Sequence, residues 1–227
     1  MSPSGREELR RTVVVRQAVL EHNDRLAREL RDDFAARGLF AANIVSSPGS
    51  GKTTLLERTL ADLRGRVRCA VIVGDMATDN DARRLRGNGA EVVQVETGDL
   101  CHLEASMVRR AADGLDLSGV RLLIIENVGN LVCPAAYDLG ESLRVVLLSV
   151  TEGEDKPLKY PVMFRSAGAV VVTKTDIAEA VGFDRGAALT NLRRAAPQAQ
   201  VMEVSARTGD GMDRWYEFLE ERMRQAA

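Results

Sequence analysis

The sequence predicts an α/β fold with a mostly parallel sheet of about seven strands, flanked by helices on both faces. Three observations predict it. Apolar, β-branched runs recur at 41–45, 67–73, 91–95, 120–125, 143–150, 169–172 and 200–204. Most are continuous rather than alternating, as strands buried on both faces require. Runs of helical character fall between or after them, at 54–63, 80–88, 103–112, 184–195 and 211–225, so strand and helix alternate. Finally, the turn after the first run reads Ser46-Ser47-Pro48-Gly49-Ser50-Gly51-Lys52-Thr53-Thr54. A strand, a glycine-rich turn, Lys-Thr and a helix together make a phosphate-binding loop.

In chain order, residues 6–38 read as one long helix or two short ones. Leu9, Val13, Leu20, Ala27, Leu30 and Phe34 recur at helical spacing, with charged residues between them. Gly38 is the expected stop. Residues 1–38 are therefore read as a helical segment packed on a single domain, 39–227. His22, a lone histidine in that helix, is read as a surface residue.

The glycine-rich turn aims successive backbone N–H groups inward, and the helix adds the positive end of its dipole. Gly49, Ser50, Gly51, Lys52, Thr53 and Thr54 are the expected phosphate cradle of a P-loop NTPase. Lys52 would bridge the β- and γ-phosphates, and the Thr53 hydroxyl would take one place on Mg²⁺. Ser46 stands where the usual pattern has glycine, which predicts a negative φ at that position.

In open parallel sheets ligands sit beyond the carboxyl ends of the strands. Gly74-Asp75, Glu126-Asn127, Thr151-Glu152 and Thr173-Lys174-Thr175-Asp176 are thus expected to face one crevice with Lys52. Lys52, Asp75 and Glu126 form the expected hydrolytic centre. Asp75 would position the attacking water or hold Mg²⁺ through an outer-shell water, and Glu126 fits the acidic place near the metal. Asp79 and Asp81 are read as helix caps. The charged stretch 151–160 is read as a loop. It is either a solvated connection or a nucleotide-responsive or interface loop, with Lys156 or Lys159 reaching phosphate or a partner subunit.

Thr173-Lys174-Thr175-Asp176 resembles the N-K-x-D motif of GTPases. Guanine presents two adjacent donors, N1–H and the exocyclic N2–H, and one carboxylate accepts both. Adenine offers no such pair, so Asp176 would select guanine while the Lys174 stem lies over the base. Ser205-Ala206-Arg207 resembles the S-A-[KR] turn, where the Ala206 N–H would meet guanine O6. Thr173 replaces the motif's asparagine, which loosens the expected support for the base.

Cys101-His102 opens the segment after the third strand, and Cys133 follows the fourth. Both loops can converge. Thiolate with imidazole suits Zn²⁺ or Ni²⁺. Three ligands are too few for a closed site, and pairing two chains across a two-fold axis would double the set. The plainer reading keeps such cysteines as small buried residues, and Cys69, inside a strand, is assigned to it.

Composition excludes other classes. The chain has 227 residues, 45% hydrophobic and 28% charged, with a net charge of -2. It shows no basic stripe for nucleic acid and no apolar run of membrane length. The polar N-terminus has no signal-peptide character. A cytoplasmic protein with reduced thiols is expected.

Taken together, the phosphate loop, Gly74-Asp75 with Thr78, Asn80, Asp81 and Ala82, Cys101-His102-Leu103, the run from Glu126 to Pro134 and the run from Val150 to Pro157 resemble the nickel-delivering GTPases of [NiFe]-hydrogenase maturation, the HypB family. The resemblance spans about residue 43 to the last helix. It implies that Cys101, His102 and Cys133 are metal ligands at a dimer interface. It also implies slow conversion of GTP to GDP, nucleotide-promoted homodimerisation, and transfer of nickel to the hydrogenase large-subunit precursor with a small zinc-containing HypA-like partner. Some members carry an N-terminal Cys-rich motif or a His-rich tract. Residues 1–40 contain no Cys and only His22, so neither is expected here. The related urease-maturation GTPases would show a Cys-Pro-His motif. A P-loop kinase or ATPase without metal cargo is the remaining alternative, and Asp176 with the S-A-R turn counts against it.

Overall fold

A computed structural model of the chain describes residues 3–76 and 79–226, with backbone alone over 3–16. The side chains of Leu9 and Val13, and all of Thr78, lie outside the described residues.

All seven expected runs form strands: β1 Phe40–Val45, β2 Cys69–Asp75, β3 Glu91–Glu96, β4 Leu122–Glu126, β5 Leu143–Ser149, β6 Ala169–Thr173 and β7 Gln200–Glu203. They make one sheet in the order β3-β2-β4-β1-β5-β6-β7, with every pair parallel. β1, β4 and β6 are buried at every position, which explains their unbroken apolar runs. The edge strands β3 and β7 are partly exposed. Two strands start later than their apolar runs, because the Val67 and Val120 N–H groups close turns onto Leu63 and Leu117.

Helices cover both faces. α2 Lys52–Leu63, α3 Asn80–Leu85 and α8 Met212–Gln225 pack on one. The other carries α1 Pro3–Ala36 and α4 Ala105–Asp113 over β2 and β4, and α6 Pro161–Ser166 and α7 Arg185–Ala195 over β5 and β6. The N-terminal run is one continuous helix. It buries Ala27, Leu30 and Phe34 and ends at Ala36, two residues before Gly38, whose φ is +62°. His22 is exposed and bonds Arg25.

Three expected boundaries are corrected. α3 stops at Leu85, because Arg86 is extended and Gly87 and Gly89 take positive φ. α4 starts at Ala105, because Leu103 is held in the preceding loop by Asn127. The stretch 151–160 is not an open loop. A capping box between Ser149 and Glu152 turns it, and α5 Lys156–Lys159 leads through Pro161 into α6.

Candidate functional site

β1 lies where the strand order reverses, so its carboxyl end opens the central crevice. The loop leaving it reaches α2 through Gly49 (φ +73°) and Gly51 (φ +87°), conformations that cost glycine little. Ser46 is not among the positive-φ residues, as its Cβ requires, and its hydroxyl donates to the Ser47 carbonyl. A cavity of about 640 Å³ is lined by residues 46–54 together with Gly74, Asp75, Asp81, Arg84, Gly129 and Lys174. Inside the loop, the Ser50 hydroxyl is buried without a partner.

Glu126, 1% exposed at the end of β4, sits beneath this cradle. It accepts the Thr53 hydroxyl at 2.7 Å and lies 3.5 Å from Lys52 Nζ. Burial raises its pKa, against the pull of Lys52 and Thr53. Its second oxygen has no partner. Asp75 faces the same cavity at the end of β2.

A second cavity of about 220 Å³ adjoins the first, lined by Gly51, Thr54, Thr173, Lys174, Asp176 and Ala206 among others. Its walls are tied to the phosphate loop. The Thr173 hydroxyl donates to Ser50 O at 2.7 Å, and Lys174 Nζ donates to Gly49 O at 2.7 Å. Lys174 is the one described non-glycine residue at positive φ, +60°. Ser205, fully buried, donates to Asp176 Oδ1 at 2.7 Å and holds the carboxylate at the pocket.

Cys101, His102 and Cys133 converge, their candidate ligand atoms all within 4.8 Å of one another. Both cysteines are free, and their sulfurs are 2.6 Å apart. The His102 ring is 7% exposed and stacks on Tyr137 at 3.9 Å. Both its nitrogens are buried without a hydrogen bond. Burial lowers its pKa, against the pull of Glu104, which favours the neutral form that binds metal. Orphaned imidazole nitrogens beside two thiols fit a soft divalent ion. Cys69 stays in the core, and burial pushes its thiol up to about 12.

Several expectations are corrected here. Thr151 and Glu152 do not line the crevice, because Glu152 is spent capping the Ser149 N–H. Neither Lys156 nor Lys159 reaches the phosphate cavity; they pair with Glu152 and Asp155. Asp79 occupies the N-cap position of α3 but pairs with Arg83 rather than capping. Asp81 turns into the cavity. Sequence reasoning missed Arg84, which reaches Thr54 at 3.1 Å from α3. It also missed Tyr137, which no motif marks.

A parallel sheet with its phosphate loop on the strand at the order reversal defines a P-loop NTPase. The family described as CobW/HypB/UreG, nucleotide-binding domain, matches residues 40–203. The chain is 51% identical to the hydrogenase maturation factor HypB of Rhizobium leguminosarum bv. viciae over 92% of this chain and 70% of that one. It is 42% identical to the hydrogenase/urease maturation factor HypB of Helicobacter pylori, over 95% of this chain and 90% of that one. The crystal structure of HypB from Helicobacter pylori in complex with nickel superposes with a TM-score of 0.86 at 43% identity, across 90% of this chain and 96% of that one. The chain belongs to the HypB family of hydrogenase maturation factors.

Proposed function

We propose that this protein is a GTP-hydrolysing carrier of Ni²⁺ for [NiFe]-hydrogenase maturation, with nickel held or released according to nucleotide state. The observation that carries the reading is the cluster of Cys101, His102 and Cys133, because its loops pack directly on the nucleotide crevice. A Cβ on Gly74 would lie 2.7 Å from Leu103, the neighbour of His102. A Cβ on Gly129 would lie 3.2 Å from the backbone of Pro48, in the phosphate loop. The two ligands therefore share walls.

Gly49, Ser50, Gly51, Lys52, Thr53 and Thr54 bind the phosphates, and the unpartnered Ser50 hydroxyl supports that role. Asp176, Lys174, Ser205 and Ala206 take the guanine. Thr53 and Asp75 would hold Mg²⁺; the hydroxyl, the carboxylates and the orphaned Glu126 oxygen are the hard donors it prefers. Mg²⁺ neutralises charge on the phosphates when bound. Lys52 stabilises negative charge at the β- and γ-oxygens, Asp75 orients water, and Glu126 lies under Thr53. The Thr53 hydroxyl donates its one proton to Glu126 and keeps its lone pairs free, so it would hold the cation while still bonded there, and ligand binding at Thr53 and Lys52 would change the environment of a buried carboxylate.

Three protein ligands leave a tetrahedral ion incomplete. Exposed Leu100 and Val132 flank Cys101 and Cys133, which supports a homodimer closing over the metal. The same site would accept Zn²⁺. A HypA-like accessory protein and the hydrogenase large-subunit precursor are the proposed donor and recipient partners. Residues 1–38 are taken as an arm on the nucleotide domain, 39–227. Among the described residues no helix is long and apolar enough to cross a membrane; a cytoplasmic location is proposed. The hydrogenase/urease name of the Helicobacter pylori relative favours urease as a second possible recipient. Against a urease-type GTPase, Ala135 follows Cys133-Pro134 where a Cys-Pro-His motif needs histidine.

The test is Ni²⁺ titration, read by thiolate-to-metal charge-transfer absorbance, on nucleotide-free, GDP-bound and non-hydrolysable-GTP-bound protein, with size followed in parallel. A band whose affinity changes with nucleotide, with dimer formation, is expected. Nucleotide binding without a thiolate band would leave a P-loop hydrolase with no metal cargo.

A further inference from the structure

We infer that Asn127 is the positioning residue that joins the nucleotide centre to both metal-bearing loops, and that its carboxamide transmits nucleotide state to the nickel ligands. The inference rests on the carrier reading above and names the residue through which that coupling runs. Asn127 follows Glu126 directly and is 1% exposed. It is bound to β1 through its own N–H, which donates to Ile44 O at 3.0 Å. Its side chain then spans three segments. Oδ1 accepts the Leu103 N–H at 3.3 Å, fixing the residue after His102. The same oxygen accepts the Val128 N–H at 2.9 Å, shaping the loop that leads to Cys133. Nδ2 donates to Asn43 Oδ1 at 3.3 Å.

From Asn43 the connection continues through buried polar groups. Asn43 Nδ2 donates to Glu141 Oε1 at 3.0 Å. Glu141 accepts Arg144 at 2.8 Å, and Arg144 donates to Tyr137 O at 2.6 Å. Tyr137 is the residue whose ring stacks on His102. One carboxamide thus holds the backbone beside His102 directly and its stacking partner through three further side chains. Glu126 touches both Thr53 and Lys52, so a shift of Glu126 on ligand binding at those two residues reaches the cluster through the adjoining Asn127. Buried polar networks of this kind have few alternative arrangements, because every broken bond leaves an unpaired group.

The experiment compares wild type, Asn127→Ala and Asn127→Asp. Asp keeps the acceptor for Leu103 and Val128 but cannot donate to Asn43. Alanine loses both. Nickel affinity is measured by charge-transfer absorbance in the nucleotide-free, GDP and non-hydrolysable-GTP states; nucleotide affinity and thermal unfolding are read on the same samples. The expected result for Asn127→Ala is about a tenfold loss of nickel affinity and a ratio between the two nucleotide states that collapses to about one. Asn127→Asp is expected to retain more nickel affinity than alanine while losing the ratio. A role confined to stability would lower the unfolding temperature and leave the ratio intact, and that outcome overturns the inference. A wild-type protein that binds nickel equally well with either nucleotide removes the coupled-carrier reading and this link with it. A wild-type ratio that survives in both variants removes the link alone.

Discussion

The two halves of the crevice are finished to different degrees. On the nucleotide side, the protein's own hydrogen bonds already hold the groups proposed to meet the ligand: Thr173 on Ser50, Lys174 on Gly49, Ser205 on Asp176 and Thr53 on Glu126. On the metal side, the His102 nitrogens have no partner and the two cysteines meet each other. A preorganised half binds without first reordering. A half with orphaned buried donors bears a desolvation cost that only a ligand removes. Nucleotide is thus expected to bind to an almost fixed surface, and metal to reshape its own.

The largest break in this comparison comes from Lys52→Ala. It is expected to lower GTP turnover by about 100-fold or more while nucleotide-free nickel affinity is unchanged; steady-state phosphate release is the check. Normal turnover would remove the phosphate-loop assignment. Cys133→Ala is the mirror experiment. Outer partners of metal ligands are worth about 10- to 100-fold in affinity, so loss of a direct ligand should reach at least the upper end. GTP affinity, followed by a fluorescent analogue, should stay put, and an unchanged nickel titration would take Cys133 out of the site.

Asp176→Asn tests the base pocket. It loses one of the two acceptances from guanine and turns an amide donor toward it, so guanine nucleotide affinity should fall about tenfold. A competition titration with adenine nucleotide should show selectivity lost. Thr173→Val is the gentlest change. It keeps the shape and removes the hydroxyl on Ser50, costing about 1 kcal/mol. Nucleotide affinity should drop roughly fivefold, with nickel binding untouched. A Thr173→Val protein with wild-type nucleotide affinity would mean that the loop needs no tie to β6.

The same contrast explains what could be read in the sequence. The phosphate loop is a contiguous motif, and its chemistry is local, so strand, turn and helix were legible together. The parallel sheet followed from buried runs such as Val170 to Val172. Cys101 and Cys133 carried the right chemistry, but their meeting depends on β3 and β4 lying on either side of β2, which spacing alone does not reveal. Asn127, Asn43 and Glu141 look like ordinary polar residues, and only tertiary pairing joins them. The turn into α5 was hidden because a short run of Glu, Asp and Lys has no apolar period. The early end of α3 did have a signal, in Gly87 and Gly89, that the polar helical pattern before them obscured.

Gly74 and Gly129 carry one consequence beyond their place in the fold. Neither has a positive φ, so alanine is conformationally acceptable at both and only clearance forbids it. A single added methyl would press Leu103 at one contact and Pro48 at the other. These two hydrogens therefore set the clearance between the loops, as a shim does in a fitted joint. Adding carbon there would alter the fit between the metal-bearing loops and the nucleotide cavity that both glycines line.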